Sequence, residues 1–357
     1  MKTMFRFEKN VSNPWKFGPR KFPRIGNFVW RAAGILFFAF AGNGAERAIK
    51  NGADIQEALD ALPDSGGEVV LPAGNFIVSN PIVLNRDGLT LRGAGPSSVL
   101  KLANRMNCPV VILGTIKNKP TKIIANLRLA DVVIDGNLDS QKAEKWQTAG
   151  EGSEIRNNGV TVRGVRDSLV ERVTAFNCRS GGLVAEKGVQ RLTVTDFTSY
   201  GNKFDGLAAY KTTDSTFSRL HLFDNPKGAG ISLDLSFNGN VISDAVLTEN
   251  DLGIFLRESN RNVFQGIVIR KSIHDGVFMA QAGQPTEDGW ELLPDTQCTD
   301  NLFSGLVVMD CGGAAFHVGD LSCTNNFVNG GQFIQNQKGG FLENVPGLTG
   351  RNSVFVH

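Results

Sequence analysis

Gly182-Leu-Val-Ala-Glu186, Gly206-Leu-Ala-Ala-Tyr210, Gly230-Ile-Ser-Leu-Asp234 and Gly253-Ile-Phe-Leu-Arg257 repeat one pattern: a glycine, then apolar residues at the first and third positions after it. Gly159-Val-Thr-Val-Arg163 precedes them and Gly276-Val-Phe-Met-Ala280 follows, at successive intervals of 23, 24, 24, 23 and 23 residues. A fixed period of this length is the signature of a solenoid. The alternation within each copy has period two, and the copies are rich in glycine and β-branched residues, so the repeating unit is built from strands rather than helices. Each unit continues through a turn into a second apolar stretch, such as Ser168-Leu-Val-Glu-Arg-Val-Thr-Ala-Phe-Asn177, which has room for two more strands. The expected fold is all-β: a right-handed, single-stranded parallel β-helix whose coils stack ~4.8 Å apart.

Side chains recurring at fixed places support that register. Asn240, Asn262, Asn301, Asn326 and Asn352 each open the second stretch, and Asn177, Asn202, Asn225, Asn250 and Asn336 each end the third strand. Stacked amides of this kind bond from coil to coil. Asp54-Ile-Gln-Glu-Ala-Leu-Asp-Ala-Leu62 reads as a short amphipathic helix with Ile55, Leu59 and Leu62 on one side, the expected cap over the open N-terminal end.

The chain has 357 residues and a formal charge of +2. Residues 1–41 carry eight basic groups and one acid, a local +7, which leaves −5 for the rest. The basic balance thus belongs to the leader, and the body gives no ground for nucleic-acid binding. The weakly apolar run Ala32–Ala41 is shorter than the ~20 residues of a spanning helix, and Ala39-Phe40-Ala41 has the small-x-small form of a cleavage site. Residues 1–41 are therefore expected to be a signal peptide or basic, hydrophobic export segment, with an uncleaved anchor as the alternative, and residues 42–357 the β-helix domain. An exported, periplasmic or extracellular monomer without membrane contact after cleavage is expected. Among the five cysteines no pairing suggests a metal site, and neither metal nor cofactor is expected. Cys298 and Cys323 align one coil apart, within reach of a disulfide; stacked free thiols are the other possibility.

The alternation also sorts side chains by face. The first and third positions after each glycine point inward, so the second and fourth point out. The fourth column reads Arg163, Glu186, Tyr210, Asp234, Arg257, with Lys187, Lys211 and Glu258 just beyond. Tyr210, one of two tyrosines, stands between two carboxylates with an arginine at each end of the line. Ionisable neighbours at coil spacing shift one another's pKa values, which acid–base catalysis exploits; a solvated polar face with incidental ion pairs is the alternative. Tyr210, Glu186, Asp234, Arg257 and Lys211 are the candidate catalytic residues. Arg163, Lys187, Glu258 and His317 are candidate substrate contacts. Two irregular stretches flank this face: Asn137 to Asn158, with Trp146, and Ala282 to Gln297, with Glu287, Asp288 and Trp290. Each offers a tryptophan for stacking on a sugar ring.

Ile134-Asp-Gly-Asn137, the Gly182 coil, Phe204-Asp-Gly-Leu207 and the coils to Arg257 resemble the catalytic module of secreted mannuronan C5-epimerases, within the wider pectate-lyase-like β-helix proteins. The resemblance implies a polysaccharide groove on this face. The family's catalytic motif, Tyr-Gly-Phe-Asp-Pro-His-Glu, is not retained: Gly181-Gly-Leu-Val-Ala-Glu-Lys187 stands there. Gly181, Val184 and Glu186 replace its Tyr, first Asp and His, and its further catalytic Asp falls at Tyr210. Three functions remain open. One is a lyase or epimerase on a uronate-containing glycan. The second is an inverting hydrolase using Glu186 and Asp234, two coils apart at ~9.6 Å. The third is a non-catalytic glycan-binding or structural solenoid.

Overall fold

The computed structural model describes residues 49–146, 154–286, 289–293, 295–344 and 353–355. The expected leader, Asn352, Glu287 and Asp288 lie outside them. Short parallel strands wind into a solenoid with two long sheets, one of ten strands and one of seventeen. The ten-stranded sheet contains the glycine-led repeats: Val160–Arg163, Leu183–Glu186, Leu207–Tyr210, Ala229–Asp234, Leu252–Arg257 and Val277–Ala280 stack in parallel, in the register the sequence implied. Their first and third apolar positions are buried.

The glycine column reflects close approach between coils rather than an unusual dihedral angle. A Cβ on Gly182 would lie 1.9 Å from Ser199 Oγ and 2.7 Å from the carbonyl oxygen of Gly206; one on Gly253 would lie 2.4 Å from the carbonyl oxygen of Gly276. Only hydrogen fits there.

The asparagine columns are real. Asn240, Asn262, Asn301 and Asn326 form a continuous chain of Nδ2–H···Oδ1 bonds at 3.2, 3.0 and 2.9 Å, and Asn202, Asn225 and Asn250 form a second at 2.9 and 2.8 Å. Every member is buried and each Oδ1 also accepts a backbone N–H from the preceding coil, so the ladder satisfies turn amides that water cannot reach. Asn177 is not in it. It sits one residue early, at a left-handed corner, and Cys178 takes the ladder position.

The corners of the larger sheet carry charge in alternation. Asp131, Arg172, Asp196, Arg219 and Asp244 stack in left-handed conformation, with Arg172 bonded to Asp131 and Arg219 to Asp196, both at 2.6 Å. A groove of about 410 Å³ lies beside Asp196, Thr198, Arg219, His221 and Asp244. It is on the larger sheet, and its arginine is already neutralised.

The N-terminal end is closed by a helix, Gly52–Asp60, beginning two residues before the expected start. Asn51 accepts from the N–H groups of Ala53 and Asp54, while Asp54 accepts from Asn51 N–H, a reciprocal capping box. Ile55 and Leu59 are buried on the first coil. Gln56 meets the edge strand Ile82–Leu84, donating to Val83 O and accepting from Val83 N, so one side chain imitates the missing neighbour strand. Cys298 and Cys323 are buried, hydrogen-bonded free thiols, the second of the two arrangements left open by the sequence.

Candidate functional site

Because the ten-stranded sheet is in register, Arg163, Glu186, Tyr210, Asp234 and Arg257 do stand on consecutive rungs of one face. Their surroundings divide them. Arg163 is fully buried: its Nε and Nη2 bond Glu186 Oε1 at 3.0 and 2.5 Å, and Nη1 donates to Ile116 O, Lys117 O and Asn118 Oδ1 at 3.3–3.5 Å. The expectation that Arg163 meets substrate is therefore corrected, since loop carbonyls and Glu186 use its donors. Glu186 is the acceptor in that same pair and remains partly exposed.

One and two rungs on, the face changes character. Tyr210, only partly exposed, shares a hydrogen bond with Ser232 of the next coil. Burial pushes its phenol above the ordinary value, as do the charges of Asp205 and Asp234, so it is a neutral proton donor at neutral pH. Asp234 is bonded to Arg257, yet burial outweighs that partner and raises its carboxyl. The Arg257 guanidinium lies 4.9 Å from the centre of the Phe255 ring.

Asp205 was not singled out from the sequence. It sits immediately before the repeat glycine Gly206, and its Oδ1 accepts the N–H of Ala229 at 2.8 Å. Burial pushes its carboxyl up to about 6, against the pull of Arg156 and Arg257. Asp275 occupies the same position before Gly276: its Oδ1 accepts from Ala314 N and its Oδ2 meets His317 Nδ1, each at 2.7 Å. The recurrent Asp-Gly pair was the available signal for both.

The remaining expected contacts are distributed as follows. Lys187, Lys211 and Glu258 adopt left-handed conformations just past the strand ends, at the corner bordering the face. Lys187 pairs with Glu154, and Glu258 accepts from Ser236. Trp146 packs against the core and stays partly exposed, and Arg156 of the same segment pulls on the Asp205 carboxyl. Trp290 lies on the second strand of a hairpin, Gly283–Thr286 with Gly289–Leu292; its side chain is outside the described residues. His317 has its pKa raised by Asp275 and packs on Phe278, ring centres 4.6 Å apart, and Phe278 stacks on Phe255 at 5.5 Å. These phenylalanines stand at the second, outward position after Gly253 and Gly276, as the alternation implies, but the sequence reading did not single them out as contacts. Among the described residues no group of three or more His, Cys, Asp or Glu is placed to hold a metal. No described helix is long and apolar enough to cross a membrane.

Comparison with known proteins agrees with the fold. A family described as the right handed beta helix region matches residues 187–354. No curated protein sequence matches. Among solved structures, ORF18 of Geobacillus virus E2 is similar with a TM-score of 0.61 and 13% identity over 85% of this chain, which spans 57% of that one. The endo-xylogalacturonan hydrolase of Aspergillus tubingensis is similar with a TM-score of 0.55 and 13% identity, covering 86% of this chain and 95% of that one. A mannuronan C-5 epimerase A-module from Azotobacter vinelandii aligns at a TM-score of 0.48 and 16% identity, over 85% and 95% of the two chains. At these identities the likeness is one of fold.

Proposed function

We propose that this protein is an exported enzyme that modifies a uronate-containing polysaccharide by proton abstraction, as a lyase or a C5-epimerase. The observation that carries the reading is the cluster on the partly exposed face: Asp205 with its carboxyl raised to about 6, Tyr210 held neutral beside it, the Arg156 guanidinium acting on both and that of Arg257 on Asp205. Fold neighbours whose names place them on polysaccharides are consistent with it.

Asp205, mostly ionised at pH 7, takes the proton α to the sugar carboxylate. The positive charge of Arg156 and Arg257 stabilises the electron pair left behind. In a lyase that pair forms the C4=C5 double bond and expels the C4 oxygen, which receives the Tyr210 proton. In an epimerase the pair takes a proton back at C5 from the opposite side. A second reading rests on burial having raised both Asp205 and Asp234: one carboxylic acid and one carboxylate would then hydrolyse a glycosidic bond. Glu186, tied to Arg163, is replaced in that role by Asp205.

The test is a panel of polyuronates and neutral glycans, followed by ultraviolet absorbance and reducing ends together. The lyase produces both signals in step and an epimerase neither, only a changed uronate composition. Reducing ends without absorbance support the hydrolase. If Tyr210→Phe and Asp205→Asn retain full activity, this face is not the active site.

A further inference from the structure

On the larger sheet one pattern of side chains is confined to consecutive coils. Arg172 stands at a corner, and Thr174 and Phe176 follow it at alternate, outward positions; Asp196, Thr198 and Tyr200 take the same places on the next coil, and Arg219, His221 and Phe223 on the one after. The coil before has Asp131, Val133 and Asp135 there, and the coil after has Asp244, Val246 and Thr248. Beyond Asp244 the corner is taken by Gly266, Gly305 and Gly330, so the charged wall stops. The groove of about 410 Å³ lies within this stretch, between the corner and the Thr198–His221 column, and its size is ordinary for a ligand site. On the far side of that column Phe176, Tyr200 and Phe223 stack with ring centres 5.2 and 4.8 Å apart. The first two are partly exposed and Phe223 is 36% exposed. Charged wall, polar floor and aromatic border thus run together along the same coils.

We propose that this groove is a second carbohydrate site, which binds a neutral glycan laid along the solenoid axis. Charge selects the ligand class. Arg172 is bonded to Asp131 and Glu171, and Arg219 to Asp196, so neither guanidinium is left to neutralise a uronate, while Asp244 adds a carboxylate to the wall. An anionic chain is disfavoured there. Sugar hydroxyls, which both donate and accept, find both kinds of partner: the carboxylates of Asp196 and Asp244 accept, the remaining N–H groups of Arg219 donate, and Thr198 and His221 carry groups of either kind. The edges of the stacked rings form an apolar strip beside them for the C–H groups of the sugar. Coils follow one another at ~4.8 Å, close to the length of one sugar ring, so a linear chain meets a similar set of groups at each coil. The site does not depend on the chemistry proposed for Tyr210 and Asp205, since Tyr210 belongs to the ten-stranded sheet.

The experiment titrates the full protein with hexamers of glucose, mannose, xylose and galacturonate in a calorimeter. At least one neutral hexamer binds, and His221→Ala and Phe223→Ala each weaken it roughly tenfold, about the worth of one hydrogen bond. Both residues are exposed, so the unfolding midpoint stays where it was. Thr198→Trp, which fills the groove, gives a similar loss. Tyr210→Phe, and Val268→Ala on the same sheet beyond the groove, leave neutral-glycan binding unchanged. The proposal is overturned if no neutral hexamer binds, or if binding survives the groove variants and falls with Tyr210→Phe. It is overturned equally if the groove variants weaken galacturonate instead. Light scattering separates the remaining possibility: groove variants that change the oligomeric state and not glycan binding make this face a protein contact, and the inference fails. None of these results touches the polyuronate reading, which rests on C5 chemistry at the other sheet.

Discussion

Replacing Asp205 by Asn is predicted to stabilise the protein while abolishing its activity. Asn keeps an oxygen to accept the Ala229 N–H but removes a charge that burial disfavours. The carboxyl is raised from 3.8 to about 6, about two units, and each unit is worth about 1.4 kcal/mol. A folded-state pKa above the unfolded value means that the fold holds its proton longer. Between about pH 4 and 6 the native state binds more protons than the unfolded chain, so stability falls as pH rises through that window. Above pH 7 the ionised aspartate costs the fold up to about 3 kcal/mol, a cost the asparagine variant escapes. Below about pH 4 the two proteins converge, both being neutral at this position. Urea unfolding at several pH values, with unchanged m, measures the difference. A variant less stable than the parent above pH 7, or a gain independent of pH, would refute the reasoning, because then the charge is either stabilised in place or irrelevant.

Other outcomes follow from the same geometry. Tyr210→Phe lowers turnover by about 10²–10⁴-fold at a stability loss of about 1 kcal/mol for the Ser232 bond, as read by steady-state kinetics and denaturation. Arg163→Ala leaves Glu186 without its buried partner and costs about 3–5 kcal/mol; a near-neutral result would mean that the loop over it is not fastened. Gly182→Ala drives a Cβ into Ser199 and the Gly206 carbonyl and lowers stability by about 1–3 kcal/mol, visible as a lower unfolding midpoint. Activity rises with pH through about 6, as the Asp205 base ionises, and Asp205→Glu moves that limb without removing it.

The solenoid was readable because its physics is periodic. A glycine where two backbones touch, apolar residues at alternate positions and asparagine where turn amides are buried leave the same mark in most coils. The order Arg163, Glu186, Tyr210, Asp234, Arg257 was readable for the same reason. What periodicity does not carry is the depth of cover. Nothing in Arg163 itself distinguishes it from Arg257, yet one lies beneath the Ile116–Asn118 loop and the other over the partly exposed ring of Phe255. How far Trp146 is covered is hidden for a like cause: its position depends on how a non-repeating segment packs. Asp205 was overlooked because Asp-Gly reads as a turn signal, and its place in the proposed site comes from burial and from Arg156, which is distant in sequence.

The most direct test of the account follows the hydrogen on C5. Oligouronate is incubated with the protein in deuterium oxide, and the sugar is examined by nuclear magnetic resonance. The account predicts that C5–H is lost, either as an unsaturated end or by replacement with deuterium, and that Tyr210→Phe and Asp205→Asn suppress the loss. Cleavage that leaves every C5–H in place, or C5–H loss undiminished in both variants, would contradict it.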